Sequence, residues 1–263
     1  MDWVLYLTLG AVAGLLAGML GVGGGLIIVP ALAALFLQQG VPSEIIMHLA
    51  LGTSLASIAF TSLSSMRAHQ QHGAILWPLF RQLTPGILFG AALGGWIAGI
   101  MTTAWLKPIF AIFELSVGLH ILLSRQTQTQ RAAAGKAAMT SAGGIIGLIS
   151  ALVGIGGGTL TVPWLAWNSV PLRQAIATSA ACGLPIAIAG ALSYIINGWH
   201  HAALPTQTLG YVHLPALIGI ALSSVVLAPL GAKLTHSLPV NTLKKIFGGL
   251  LMLLAIKLLL SKF

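Results

Sequence analysis

The chain has 263 residues, of which 57% are hydrophobic and 6% charged, where a soluble chain carries about 25% charged residues. With a mean hydropathy of +0.98 it has too little polar surface for a soluble globular domain, and it lacks the low hydrophobicity and high charge of a disordered one. The 12 basic and 3 acidic residues give a net charge of +9. The bases stand singly at segment ends, with no basic stripe or aromatic ladder, so they read as loop charges that orient a chain in a bilayer, and no nucleic-acid partner is expected.

A spanning helix needs about 20 apolar residues. Apolar segments run over approximately 3–37, 45–65, 79–100, 106–123, 137–168, 174–197, 211–231 and 243–260. The start, Met1-Asp2-Trp3, lacks the basic n-region of a cleavable signal peptide. The first segment is too long for one ordinary helix and is interrupted by Gly21-Val22-Gly23-Gly24-Gly25. The second carries His48 and Thr53-Ser54, and the fourth carries an intramembrane carboxylate, Glu114. The polar stretch 124–136 reads as a cytoplasmic linker between an N-terminal repeat, 1–123, and a C-terminal repeat, 137–263. Beyond it the fifth segment repeats the long, broken pattern at Gly154-Ile155-Gly156-Gly157-Gly158, and the sixth carries Arg173 and Thr178-Ser179. Trp77, Trp105, Trp199 and Tyr211 sit at segment ends, where an aromatic belt is expected. A single cysteine, Cys182, makes no internal disulfide.

The halves are homologous. Gly14–Pro30 aligns with Gly147–Pro163 at an offset of 133, with eight of 17 positions identical. Ala50–Ser54 aligns with Ala175–Ser179 at 125, and Leu106-Lys107 with Leu243-Lys244 at 137. If each broken segment turns at its glycines and returns to the side it entered from, each half has three full crossings and the halves are inverted. Loop bases then divide nine against three, with Arg67, Arg81, Arg125, Arg131, Lys136, Arg173, Lys233, Lys244 and Lys245 on the linker side. If each broken segment crosses, the division is seven against five, without the bias that cytoplasmic loops carry. The expected fold is an all-α polytopic membrane protein of two inverted repeats, each a glycine-broken re-entrant pair plus three transmembrane helices, with both termini outside.

A helix broken inside a membrane leaves backbone groups that lipid cannot satisfy, so breaks occur where the backbone is buried or lines a cavity. The helix that restarts points its N–H groups and positive dipole end at the break, which suits an anion. Two such ends meeting near the midplane are a recurrent transporter plan. The candidate substrate site is therefore Gly21, Gly23, Gly24, Gly25, Gly154, Gly156, Gly157 and Gly158, with the hydroxyls of Thr53, Ser54, Thr178 and Ser179. The competing reading of those hydroxyls is bonding to their own helix. His48 and Arg173 are candidates for gating or anion contact, against interfacial anchoring; Glu114 is a candidate for proton coupling, against pairing with Lys107 or His120. The spacings Gly10-Gly14-Gly18 and Gly86-Gly90-Gly94 suit close helix packing. No metal or cofactor motif is present.

The doubled Gly-x-Gly-Gly-Gly…Pro block, the Thr-Ser after it and the Gly…Leu-Lys…Ile-Phe ending resemble the sulfite exporter TauE/SafE family over 3–260. The resemblance implies a transporter of sulfite, thiosulfate or an organosulfonate in the cell inner membrane. The expectation is an alternating-access carrier whose partners are a small anion and the lipid bilayer. An inside-negative potential drives anions outward by about 2.3 kcal/mol per charge per 100 mV, which favours export. A channel of the same fold is the alternative. An intramembrane enzyme is disfavoured, because no Gly-x-Ser-x-Gly or His-Glu-x-x-His motif appears. The oligomeric state is left open, a homo-oligomer included.

Overall fold

A computed structural model describes residues 2–21, 23–123, 135–234 and 240–261. Most of the expected linker, 124–134, lies outside them. The first half comprises α1 (Asp2–Leu20), α2 (Gly25–Gln38), α3 (Ile46–Gln71), α4 (Trp77–Ile100) and α5 (Thr103–Leu123). The second comprises α6 (Lys136–Leu152), α7 (Gly158–Trp167), α8 (Leu172–Gly198), α9 (Leu214–Leu234) and α10 (Val240–Leu260). A two-residue hairpin, β1 (Thr208–Leu209) with β2 (Val212–His213), precedes α9. The protein is an all-α polytopic membrane protein. Among the described residues, six helices are long and apolar enough to cross a bilayer, and their outer faces carry apolar side chains where a soluble protein would carry charge, among them Phe89, Ile112 and Val226, all more than half exposed.

Each broken segment is a hairpin. The Gln39 side-chain amide donates to the Tyr6 hydroxyl at 2.8 Å, which holds the end of α2 beside the beginning of α1. In the second half the Trp164 indole N–H reaches the Met139 sulfur at 3.5 Å and holds α7 beside the start of α6 in the same way. From Tyr6 to Leu20 and from Gly25 to Gln38 the chain rises about 20 Å each way, so the first hairpin places its glycine turn deep in the molecule.

The two sequence halves interlock instead of standing side by side. α1 packs along α9, and α6 along α4. A Cβ on Gly10 would lie 2.3 Å from the Ile220 carbonyl oxygen, one on Gly14 2.5 Å from Ser224 Cα, and one on Gly18 2.0 Å from the Ala228 carbonyl oxygen. The same ladder joins Gly86, Gly90 and Gly94 to Thr140, Gly144 and Leu148. Small-residue stripes thus bring helices of opposite halves into backbone contact, the packing that membranes favour because lipid supplies no hydrophobic drive. α3 packs on α8, and α5 on α10, so every main contact maps onto its repeat counterpart. Trp105 and Trp199 are more than half exposed, as belt residues should be; Tyr211 is 4% exposed, because it lies under the His48 and His201 rings.

Candidate functional site

The tips of the two hairpins touch. A Cβ on Gly23 would lie 2.8 Å from Gly156 Cα, and one on Gly25 would lie 2.5 Å from the Gly154 carbonyl oxygen. Gly24 and Gly157 cap α2 and α7 from the left-handed region, at φ of 78° and 74°, where a side chain on an L-residue is penalised. The Gly24 carbonyl accepts the N–H groups of Ile27 and Ile28, and the Gly157 carbonyl those of Leu160 and Thr161. That leaves the N–H groups of Gly25 and Leu26, and of Gly158 and Thr159, with no carbonyl of their own helix or its cap to bond. Gly24 backs onto Ala13 and Gly157 onto Ile186, so neither faces the other tip. Gly158 is buried at the start of α7.

The Thr-Ser pairs brace this junction across the halves. Ser54 Oγ donates to the Gly154 carbonyl at 2.8 Å. Its counterpart Ser179 lies 3.5 Å from the Gly21 carbonyl and bonds its own helix at Ile176 at 2.8 Å. Thr53 Oγ1 accepts the His213 N–H at 2.9 Å, and Thr178 Oγ1 accepts the Leu76 N–H at 3.0 Å. All four are fully buried. The repeated hydroxyls thus hold backbone at the tips and at the starts of α4 and α9.

A cavity of about 10 Å³ lies beside the tip contact, lined by Ala17, Gly21, Gly23, Gly156 and Ala180, and by Thr61, Ser62 and Ser65 of α3. That volume is near the minimum for one water. The three hydroxyl residues are 2%, 4% and 3% exposed. Thr61 bonds the Ser57 carbonyl at 3.1 Å and Ser224 Oγ at 2.7 Å; Ser65 Oγ is buried without a hydrogen-bond partner. At the repeat offset of 125, Thr61, Ser62, Ser65 and Ala180 correspond to Ile186, Ala187, Gly190 and Leu55. Ile186 and Leu55 are fully buried and crowd the glycines beside them: a Cβ on Gly157 would lie 2.2 Å from Ile186 Cδ1, and one on Gly190 2.9 Å from Leu55 Cδ1. The tips of both hairpins meet at this point, while the side chains beside them are one-sided. Sequence reasoning passed over Thr61, Ser62 and Ser65. The signal was there, in hydroxyls following Ser54 at helical spacing in one repeat and apolar in the other.

The remaining candidates lie apart from this cavity. His48 is 4% exposed, meets the Met101 carbonyl at 2.8 Å and stacks 4.8 Å from the Tyr211 ring. It lines a larger vestibule of about 510 Å³ with Glu44, Thr102, Thr103, His201 and Tyr211. Arg173 is exposed at the start of α8. Glu114 is fully buried on α5, and its carboxyl oxygens have no hydrogen-bond partner.

The family model for sulfite exporter TauE/SafE matches residues 6–258. A probable membrane transporter protein of Haemophilus influenzae is 38% identical over 98% of both chains. One of Methanocaldococcus jannaschii is 26% identical over 97% of this chain and 95% of its own, and the probable membrane transporter protein YunE of Bacillus subtilis is 26% identical over 75% and 80%. No solved structure matches. With its interlocked glycine-broken hairpins and apolar outer surface, the chain belongs to the sulfite exporter TauE/SafE family and is a multi-pass membrane transporter.

Proposed function

We propose that this transporter is a carrier that exports a small sulfur-containing anion, such as sulfite, thiosulfate or an organosulfonate, from the cell by alternating access between inverted repeats. The observation that carries the reading is the meeting of two glycine tips beside buried hydroxyls, in a cavity with no cationic side chain in its lining. Backbone N–H groups at helix starts suit an anion without a buried lysine or arginine. The hairpin contacts Tyr6–Gln39 and Met139–Trp164 support re-entrant pairs, hence three crossings per half, inverted halves and a cytoplasmic linker side.

The cavity's volume, about 10 Å³, is too small for a sulfur oxyanion. Substrate entry therefore requires the tips to part, which favours a carrier over a standing pore. Its axis residues are backbone and hydroxyl groups without an acid–base pair, which disfavours an enzyme. The His48 vestibule is read as the outer approach. Glu114 is read as the proton-linked group, off the substrate path. Thermal-shift titration of the purified chain with sulfite, thiosulfate, sulfoacetate and sulfate tests the substrate class. Saturable stabilisation by one or more of the first three is expected; no shift with any of them would refute it. In proteoliposomes a carrier gives saturating flux with counterflow, and flux without counterflow would establish the channel.

A further inference from the structure

We infer that the anion sits off the two-fold axis, against the Thr61–Ser62–Ser65 face of α3, and that this site takes singly charged oxyanions and rejects doubly charged ones. The inference rests on the proposed anion site and specifies the charge state that it accepts, which narrows the proposed substrates to hydrogensulfite and monoanionic sulfonates and excludes the dianions thiosulfate and sulfoacetate. The half-site next to α3 is lined by small residues and hydroxyls. Its repeat counterpart is filled by Leu55 and Ile186, both fully buried. Ser65 Oγ, buried and without a partner, lines the first. A buried hydroxyl left unpaired is costly, so a ligand that accepts its hydrogen bond satisfies a group the fold does not.

The charge selectivity follows from what is absent from the lining. None of its eight residues is Lys, Arg, His, Asp or Glu. The charged or imidazole groups on the surrounding helices are Asp2 on α1, His48, Arg67 and His69 on α3, Lys136 on α6, Arg173 on α8 and Lys233 on α9, and none of them lines the cavity. Ligand charge is therefore met by dipoles alone, namely hydroxyls and backbone N–H groups. Attraction to fixed dipoles grows in proportion to the charge, whereas the desolvation cost grows with its square. A second charge doubles the first and quadruples the second, so a site whose dipoles outweigh desolvation for a monoanion by less than twofold excludes a dianion. Hydroxyls also accept hydrogen bonds, so Ser62 and Ser65 can receive the proton of a hydrogen oxyanion, which a cation clamp would repel.

The test uses the full chain in detergent and three probes. Methanesulfonate is a monoanion throughout the neutral range, sulfate is a dianion, and sulfite passes from one to the other near neutrality. Methanesulfonate should bind with an affinity independent of pH, and sulfate at least about tenfold more weakly. Sulfite affinity should fall about tenfold per pH unit once the dianion predominates, because only the competent fraction binds. The flat methanesulfonate profile separates titration of the ligand from titration of His48 or His69. Ser65→Ala should weaken methanesulfonate about tenfold. Ser150→Ala should leave it unchanged, since Ser150, likewise buried and unpartnered, belongs to the filled half. Sulfate binding as tightly as methanesulfonate, or sulfite tightening as pH rises, would overturn the charge selectivity while the anion site stands. Equal loss in Ser65→Ala and Ser150→Ala, in variants that melt normally, would overturn the off-axis placement. Failure of all three probes to bind would overturn this inference, and failure of thiosulfate and sulfoacetate as well would overturn the proposed function.

Discussion

Ser54 and Ser179 are the same residue in two repeats, yet they should not be worth the same. Ser54 spends its only hydroxyl proton on the Gly154 carbonyl at 2.8 Å, across the halves. Ser179 lies 3.5 Å from Gly21 and has a closer acceptor in its own helix, Ile176 at 2.8 Å. Hydrogen bonds inside membrane proteins average about 0.6 kcal/mol and reach about 1.7, and leaving a buried acceptor unsatisfied adds to the loss. Ser54→Ala should therefore destabilise by about 1–2 kcal/mol, and Ser179→Ala by about 0.5 kcal/mol or less. At the usual conversion for a chain of this size, that is about 2–8 °C against 1–2 °C in melting temperature. Parallel thermal melts of the two variants in one detergent decide the matter. A larger loss in Ser179→Ala would refute the claim that cross-half bonding, and not the repeat, sets the value of these hydroxyls.

Gly23→Ala places a Cβ 2.8 Å from the Gly156 backbone at a φ of 79°; the left-handed penalty of about 1–2 kcal/mol and overpacking of about 1–3 kcal/mol add. Gly40→Ala, at φ 76° with nothing within 4 Å, should lose only the first of these, so equal melting losses would count against the tip contact. With Cys182 replaced by Ala, cysteines at Gln38 and Arg173 should be labelled by an impermeant thiol reagent from opposite faces of oriented vesicles; labelling from one face would eliminate the inverted hairpins. Glu114→Leu installs the residue that the second repeat carries at Leu251 and removes a buried carboxyl without a hydrogen-bond partner. It should raise stability by about 1–3 kcal/mol while abolishing any dependence of flux on a proton gradient, and a lower melting temperature would argue that Glu114 has a structural partner.

Composition alone assigned this chain to the membrane, because a surface with so few charges cannot face water. Repetition of the glycine blocks and the Thr-Ser pair located the junction, because a helix cannot continue through glycines held in the left-handed region. The spacings Gly10-Gly14-Gly18 and Gly86-Gly90-Gly94 predicted close packing, and the structure supplied the partners: α9 and α6, each from the other half. Such partners are not legible in one sequence, because a stripe of small residues is equally complementary to many helix faces. Tertiary structure likewise decided that Gly23 and Gly156 meet while Gly24 and Gly157 turn away, since the facing of residues in a break depends on dihedral angles that glycine leaves open. It also buried Tyr211, which chain position alone had put at the lipid interface. The off-axis cavity was half legible: the differing side chains at Thr61 and Ile186 stand in the sequence. Their consequence appears only when hairpins from opposite halves meet beside them, because a cavity is a property of the space that non-neighbouring segments leave between them.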